Sequence, residues 1–227
     1  MNSDCGENTS TKEILSRHPT NNKWLVWYHN PSDKNWSISS YKDILEISCI
    51  EDFWVLKNSW NECLPKVNEG MFFLMRKLGD VCIYPQWEDP NNKNGGYWSF
   101  KVSKADAENA WFELMMFMLG ECITKVNIDS LNINGISISP KKNFCIIKIW
   151  NKSCSNDDKE QLSSELKFLN MEEVLYTSHK KNIEKDQMKV KRREYYNNKK
   201  NNRYRNRGYN NGDYKRKKYS NYNRFES

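Results

Sequence analysis

A chain of 227 residues, 37% of them hydrophobic, suits one domain of ordinary size with extensions. No run approaches the ~18 consecutive apolar residues of a membrane helix, and the opening MNSDCGENTS has neither the basic nor the apolar stretch of a signal peptide. A cytosolic or nuclear protein with no membrane partner is therefore expected. Seven cysteines, odd in number, widely spread and never spaced C-x-x-C, point to reduced thiols rather than to a zinc site or a disulfide framework. The net charge of +7 is unevenly distributed. From Lys180 onward 17 Lys/Arg face 5 Asp/Glu, a net of +12, which leaves residues 1–179 with 19 against 24, a net of −5. An acidic body offers no general attraction to phosphates, so any nucleic-acid contact there must be local and shaped.

Residues 1–17 are polar and aperiodic, and are expected to be disordered. KWLVWYHN, from Lys23, alternates as a strand does and places Trp24 and Trp27 on opposite faces. The loop NPSDKN leads to Trp36. Residues 50–60 (IEDFWVLKNSW) open with two acids, as suits a helix N-terminus, and align Phe53, Leu56 and Trp60. Trp54 falls about 100° away from Phe53, beside Ile50 and Asn58, so that helix is either buried on two sides or presents Trp54 to a partner. A second helix, over 105–119, is apolar around nearly its whole circumference and stops at Gly120. A third is expected after Ser155, with Leu162, Leu166 and Leu169 on one stripe. Strand-like runs occupy 71–77, 97–103, 133–139, 144–150 and 173–179. Together these elements predict an α+β fold with an antiparallel sheet covered on one face by helices. The folded domain should span 18–182. Beyond it lies a basic tail, 183–227, rich in Asn, Tyr, Lys and Arg, with a frayed helix near 183–190 and disorder after it.

Nine tryptophans exceed what one core of this size needs. Trp24, Trp27, Trp98 and Trp111 suit the core. Trp87-Glu88-Asp89-Pro90, followed by NNKNGG, instead sets an indole beside a carboxylate in a loop held between a proline and a Gly-Gly turn. Guanine offers its N1–H and its N2 amine along one edge, and a single carboxylate accepts from both. Methylation at N7 makes that base cationic and draws it to indole faces. Two loop tryptophans and one acid, here Trp36, Trp87 and Glu88, are the minimum kit for such a ligand.

Nine sequence features match one family in order through residues 18–179. They are His18-Pro19, Trp24-x-x-Trp27, Trp36, EDFW (51–54) with Asn58, WED (87–89) with Gly95-Gly96 and Trp98, Trp111-x-Glu113, Leu119-Gly120-Glu121, Trp150 and YTSH (176–179). In these the chain resembles the eukaryotic translation initiation factor 4E family. The resemblance implies a strongly curved antiparallel sheet, three helices on its convex face and a slot on the concave face for the 7-methylguanosine cap of mRNA. It implies that Trp36 and Trp87 sandwich the base, that Glu88 reads its edge and that Trp150 contacts the methyl group. His18 and His179 sit at no catalytic or metal spacing and suit structural roles.

The phosphate positions depart from that family's pattern. Relatives use basic side chains before the last tryptophan. This chain has Lys141 and Lys142 at the first such place, Ile146 at the second, and Tyr97 where an arginine is frequent. Lys148, two residues before Trp150, shares its strand face and offers a replacement. Lys141, Lys142 and Lys148 are thus the candidate phosphate ligands. The resemblance further implies a docking surface for a helical peptide, from a scaffold subunit of the initiation complex or from a competing repressor. It maps onto His18, Pro19, Ile50, Trp54, Phe112, Glu113, Met116 and Gly120. In the tail, seven tyrosines among 15 Lys/Arg from Lys185 onward could hold RNA, and KRKK (215–218) could equally serve nuclear import. The expectation is a non-enzymatic cap-binding factor of translation initiation that needs no cofactor or metal. Its rivals are a repressor-type cap-binding homologue and a general RNA-binding protein that works through its tail.

Overall fold

The computed structural model describes residues 17–126 and 130–199; of the disorder expected over 1–17, residues 1–16 lie outside the described residues, as does the tail from 200 onward, while Arg17 is described and pairs with Asp52. Eight strands, all paired antiparallel, form one open sheet in the order β2-β1-β3-β6-β7-β5-β8, with β4 paired to β3. In chain order these are β1 (Pro19–His29), β2 (Tyr41–Cys49), β3 (Met71–Leu78), β4 (Val81–Cys82), β5 (Gly96–Ser103), β6 (Ile133–Pro140), β7 (Phe144–Asn151) and β8 (Leu175–Ser178). The helices are α1 (Ile50–Cys63), α2 (Ala107–Leu119) and α3, over 179–199. The fold is α+β with a strongly curved sheet, as expected. Register shifts in the β1/β2 pairing at Val26/Trp27 and in the β6/β7 pairing at Ile133/Gly135 bend the strands locally.

The two faces of the sheet carry separate apolar clusters. On the convex face α1 and α2 bury Trp24, Phe53, Leu56, Trp60, Trp98 and Trp111 among the aliphatic residues of β3, β6 and β7. On the concave face a smaller, aromatic cluster gathers Trp27, Tyr41, Phe73, Met75, Ile83, Tyr97 and Trp150. Trp24 and Trp27, three residues apart in one strand, fall into opposite clusters as alternation requires.

A buried ion pair closes the convex side. The Arg76 guanidinium donates in bidentate fashion to the Glu121 carboxylate at 2.8 and 3.0 Å, and also to the Ile133 and Ser130 carbonyls at 3.0 and 2.8 Å. Its Cζ lies over the Trp24 ring, 4.3 Å from the centroid. Glu121 holds a left-handed backbone, φ 53°, immediately after the Gly120 C-cap of α2.

The helix expected after Ser155 does not form. Only a single 3-10 turn, Lys159–Gln161, appears in that segment, yet Leu162, Leu166 and Leu169 are buried in the convex cluster as their spacing demanded. Hydrogen bonds to other parts of the fold replace helical ones. Lys125 N donates to Gln161 O, Ser163 N donates to Ile123 O, and the amides of Lys167 and Phe168 donate to the Glu113 carboxylate. Adjacent Ser163 and Ser164 favour such local alternatives, and the Ser163 hydroxyl accepts from Glu165 N at 3.2 Å. Conversely, α3 is longer than the 183–190 patch, because its Lys, Arg, Glu, Gln and Met residues are good helix formers.

Candidate functional site

The concave cluster is the floor of the candidate site, and two loops rise beside it. The loop between β1 and β2 carries Trp36, half exposed at 51%. One indole face is already occupied, since the His29 ring stacks on it at 4.3 Å with only 3° between the planes. His29 is itself fixed in orientation, as its Nε2–H donates to the Asn35 carbonyl at 2.8 Å. Trp36 is therefore held as a platform with one face backed.

The loop between β4 and β5 carries Trp87 and Glu88, and buried polar side chains shape it. Asp89 accepts from the amides of Tyr84 and Asn91 at 3.0 and 2.8 Å. Fully buried Asn92 donates to the Tyr84 and Gln86 carbonyls, and Asn134 of β6 donates to Asn91 O at 2.8 Å and to Asn92 Oδ1 at 2.9 Å. These bonds turn Asp89 inward and leave the neighbouring Glu88 exposed. Gly95 ends the loop where a Cβ would stand 1.9 Å from the Asn151 carbonyl, so no other residue fits.

The two loops touch. Gln86, next to Trp87, donates from Nε2 to the Trp36 carbonyl at 2.6 Å. Trp87 packs against the concave cluster, half-buried. Glu88 faces the same side: burial pushes the Tyr41 hydroxyl well above the ordinary tyrosine range, and the Glu88 charge adds to that rise. Trp150, 2% exposed, lies in the floor with its Nε1–H donated to the Ser137 hydroxyl at 2.9 Å. The His179 ring covers it at 4.8 Å. Burial, with help from the Lys148 charge, holds the His179 imidazole neutral, with a pKa of about 3.

Lys148 stands between this floor and the cationic rim. Its Nζ lies 4.0 Å from the Tyr97 ring centroid and 5.9 Å from that of Trp87. Burial, and secondarily the charge of Lys141, lowers its pKa to about 8. Lys141 and Lys142 are exposed in the β6–β7 turn, which closes through Lys141 N to Phe144 O at 2.8 Å. Ile146 pairs in register with Lys101 of β5, so Lys101 occupies the same sheet face and supplies a cation beside the position where Ile146 has none. Its ammonium sits 4.9 Å from the Phe144 ring centroid. Among the described residues no group of His, Cys, Asp and Glu could hold a metal ion.

The model of the eukaryotic initiation factor 4E family matches residues 19–194. The chain belongs to that family. It is 31% identical over 150 residues to eukaryotic translation initiation factor 4E of Eremothecium gossypii, covering 64% of this chain and 67% of that protein. To the Candida glabrata factor it is 31% identical over 160 residues, covering 69% and 72%. Among solved structures, the complex of C. elegans eIF4E-3 with the 4E-binding protein Mextli and cap analog superposes with a TM-score of 0.62 at 25% identity, over 74% of this chain and 95% of that one. Ascaris suum eIF4E-3 with m7G cap gives 0.60 at 25% identity, over 72% and 92%.

A second exposed patch lies on α1 and α2, where the partner-docking residues are expected. Ile50, Trp54 and Met116 are 38, 45 and 43% exposed, and Gly120, His18 and Pro19 are exposed as well. Phe112 and Glu113 are placed differently: both are buried, Phe112 packed edge-on against Trp60 and Phe53, Glu113 engaged by the 167–168 amides. Phe112 thus backs α1 from the core, and Glu113 fastens the 167–168 segment. The His18 segment is tied to α1 through its amide and Nδ1, both on Glu51, and through Ile50 N to His18 O at 2.9 Å. Lys57 roofs Trp54 at 4.9 Å.

Sequence reasoning missed His29, Tyr41 and Lys101. Alternation gives the face of two of them but not their partners: His29 follows Trp27 by two residues and Lys101 follows Tyr97 by four, so each shares the concave face of its strand. Tyr41 required recognising β2.

Proposed function

We propose that this protein binds the 7-methylguanosine cap of mRNA in the concave site and thereby serves translation initiation. The observation that carries this reading is the coupled pair of tryptophan loops, joined by Gln86 to the Trp36 carbonyl, with an exposed carboxylate next to the second indole. The base enters between Trp36, whose rear face His29 supports, and Trp87. Its cationic ring gains from both π-faces, and Glu88 accepts from N1–H and N2. Trp150 and Tyr97 bound the floor. Lys148, Lys141 and Lys101 attract the triphosphate, with Lys142 at the edge of the turn. Lysines supply point charges without the planar fork of arginine, so base recognition dominates specificity and phosphate contacts add a salt-dependent increment. The solved complexes of the two nematode relatives with cap ligands support the reading.

The exposed Ile50, Trp54 and Met116 patch takes the apolar face of a helical peptide, from a scaffold subunit or a competing repressor. The relative bound to Mextli supports this second site. Quenching of tryptophan fluorescence by 7-methyl-GTP and by GTP tests the first. Glu88→Ala is expected to weaken the methylated ligand by about 10- to 100-fold, as befits loss of a charge-assisted pair worth ~1.5–3 kcal/mol. Trp87→Ala should abolish discrimination between the two nucleotides. Equal affinity of the wild type for both would overturn the assignment in favour of general RNA binding. Trp54→Ala should leave quenching intact while removing helical-peptide binding.

A further inference from the structure

Helix α3 presents a one-sided basic and aromatic face that the cap site does not use. Lys181, Lys185, Lys189, Arg192, Tyr196 and Lys199 recur at intervals of three and four, which places them within an arc of roughly 80° at ~100° per residue. All six are exposed. The stripe runs ~27 Å along the helix at ~1.5 Å per residue. The three acids of the helix, Glu184, Asp186 and Glu194, all fall outside that arc. Only Asp186 reaches a member of it, Lys189 at 2.7 Å, an exposed pair that contributes little and that a phosphate can displace. Tyrosine rings accompany the cations: Tyr195 and Tyr196 are 62 and 56% exposed, with Arg192 5.9 Å from the ring centroid of Tyr196.

We propose that this face of α3 binds single-stranded RNA without sequence preference, independently of the cap reading above. Cations one helical turn apart can follow a phosphate backbone, and exposed rings beside them can stack bases, which is the pairing that sequence-tolerant single-strand binding uses. A bilayer is a poorer fit. The exposed apolar residues Met188 and Val190 lie about 160° apart around the helix, so no apolar face exists to enter lipid.

The test uses the full chain and two triple variants of equal charge change. One removes cations from the stripe, Lys185→Gln, Lys189→Gln and Arg192→Gln. The other removes them from elsewhere on the same helix, Lys180→Gln, Lys191→Gln and Arg193→Gln. Glutamine keeps the helix propensity close to that of lysine, and circular dichroism checks that the helix content is kept. Fluorescence anisotropy with an uncapped single-stranded RNA, across a range of salt, reads affinity and its salt slope. The stripe variant should lower the slope by about two, at ~0.7 for each phosphate no longer neutralised, and the other variant by much less. Tyr196→Ala should weaken binding about fivefold or more with the slope unchanged, since stacking contributes ~1–3 kcal/mol per base. Quenching by 7-methyl-GTP should be the same in all of them. Equal effects of the two triples, no effect of either, or a stripe variant that loses only phosphatidylserine-vesicle binding while RNA binding persists would each overturn the proposal.

Discussion

The convex and concave faces of the sheet use aromatic residues in opposite ways. On the convex side Trp24, Trp60, Trp98 and Trp111 are sealed between the sheet and its helices, Trp60 packed on Phe72, Phe112 and Trp111, Trp98 on Tyr176, and Trp24 beneath the Arg76 guanidinium. That side is closed by the bidentate Arg76–Glu121 pair. On the concave side the apolar cluster is small, and its margin is formed by half-exposed Trp36 and Trp87, exposed Glu88 and a lysine whose pKa burial lowers to about 8. Burial on one face stabilises the sheet; incomplete burial on the other leaves rings and charges free to act on a ligand. Substitutions on the two faces should therefore separate stability from binding.

The largest expected effect is on the convex face. Arg76→Ala leaves the Glu121 carboxylate buried without its countercharge, with the Asn22 amide still donating to it, and removes donors from the Ser130 and Ile133 carbonyls. The expected loss is about 3–5 kcal/mol, seen as a melting temperature lower by roughly 10 °C. At temperatures where the variant remains folded, 7-methyl-GTP should bind as to the wild type. A large drop in affinity at constant stability would instead mean that the two faces are coupled through β3. A smaller effect, and one that crosses the division, is expected for Asn134→Ala. Its amide fastens Asn91 and Asn92 from β6, so its loss should cost about 1–2 kcal/mol of stability and also weaken cap-analogue binding by several-fold as the Trp87 loop loosens. Unchanged affinity would show that Trp87 and Glu88 are positioned by the floor alone.

The same division explains what the sequence made legible. Convex packing follows periodicity, so α1, α2 and strands β1, β3, β5, β6 and β7 can be placed from hydrophobic spacing, and the three leucines at 162, 166 and 169 are legible as buried, whereas two-residue β4 is too short to show a pattern. Their segment is not helical, because spacing reports which side chains are buried and not how the backbone satisfies its hydrogen bonds. β2 escapes notice for a related reason. It is an edge strand, and Lys42, Asp43 and Glu46 interrupt the alternation that would have marked it, as charged residues do on unprotected edges. The concave site is legible where chemistry is local, as in the adjacent Trp87 and Glu88. It is not legible where partners come from distant strands: the His29 ring behind Trp36, and Lys101 beside Ile146, are consequences of pairing register, which one chain read linearly does not display.

The smallest effect tests whether Lys148 belongs to binding at all. Burial and the Lys141 charge lower its pKa to about 8 in the free protein, so the ammonium is charged below that pH and is lost as pH rises through it. Phosphates brought close would favour the charged form and raise its pKa, so binding takes up a proton in the window above about 8, and affinity must fall there as pH rises. Arginine stays charged throughout this range. The ratio of 7-methyl-GTP affinities of the wild type and Lys148→Arg, measured from pH 7 to 9.5, cancels any titration that belongs to the ligand. That ratio should be level at the lower end and then decline, by at most about tenfold per pH unit for a single proton. A ratio that stays level would assign Lys148 to the aromatic floor, where its contacts with Tyr97 and Trp87 shape the site without touching phosphate, and would leave Lys141 and Lys101 as the anion contacts.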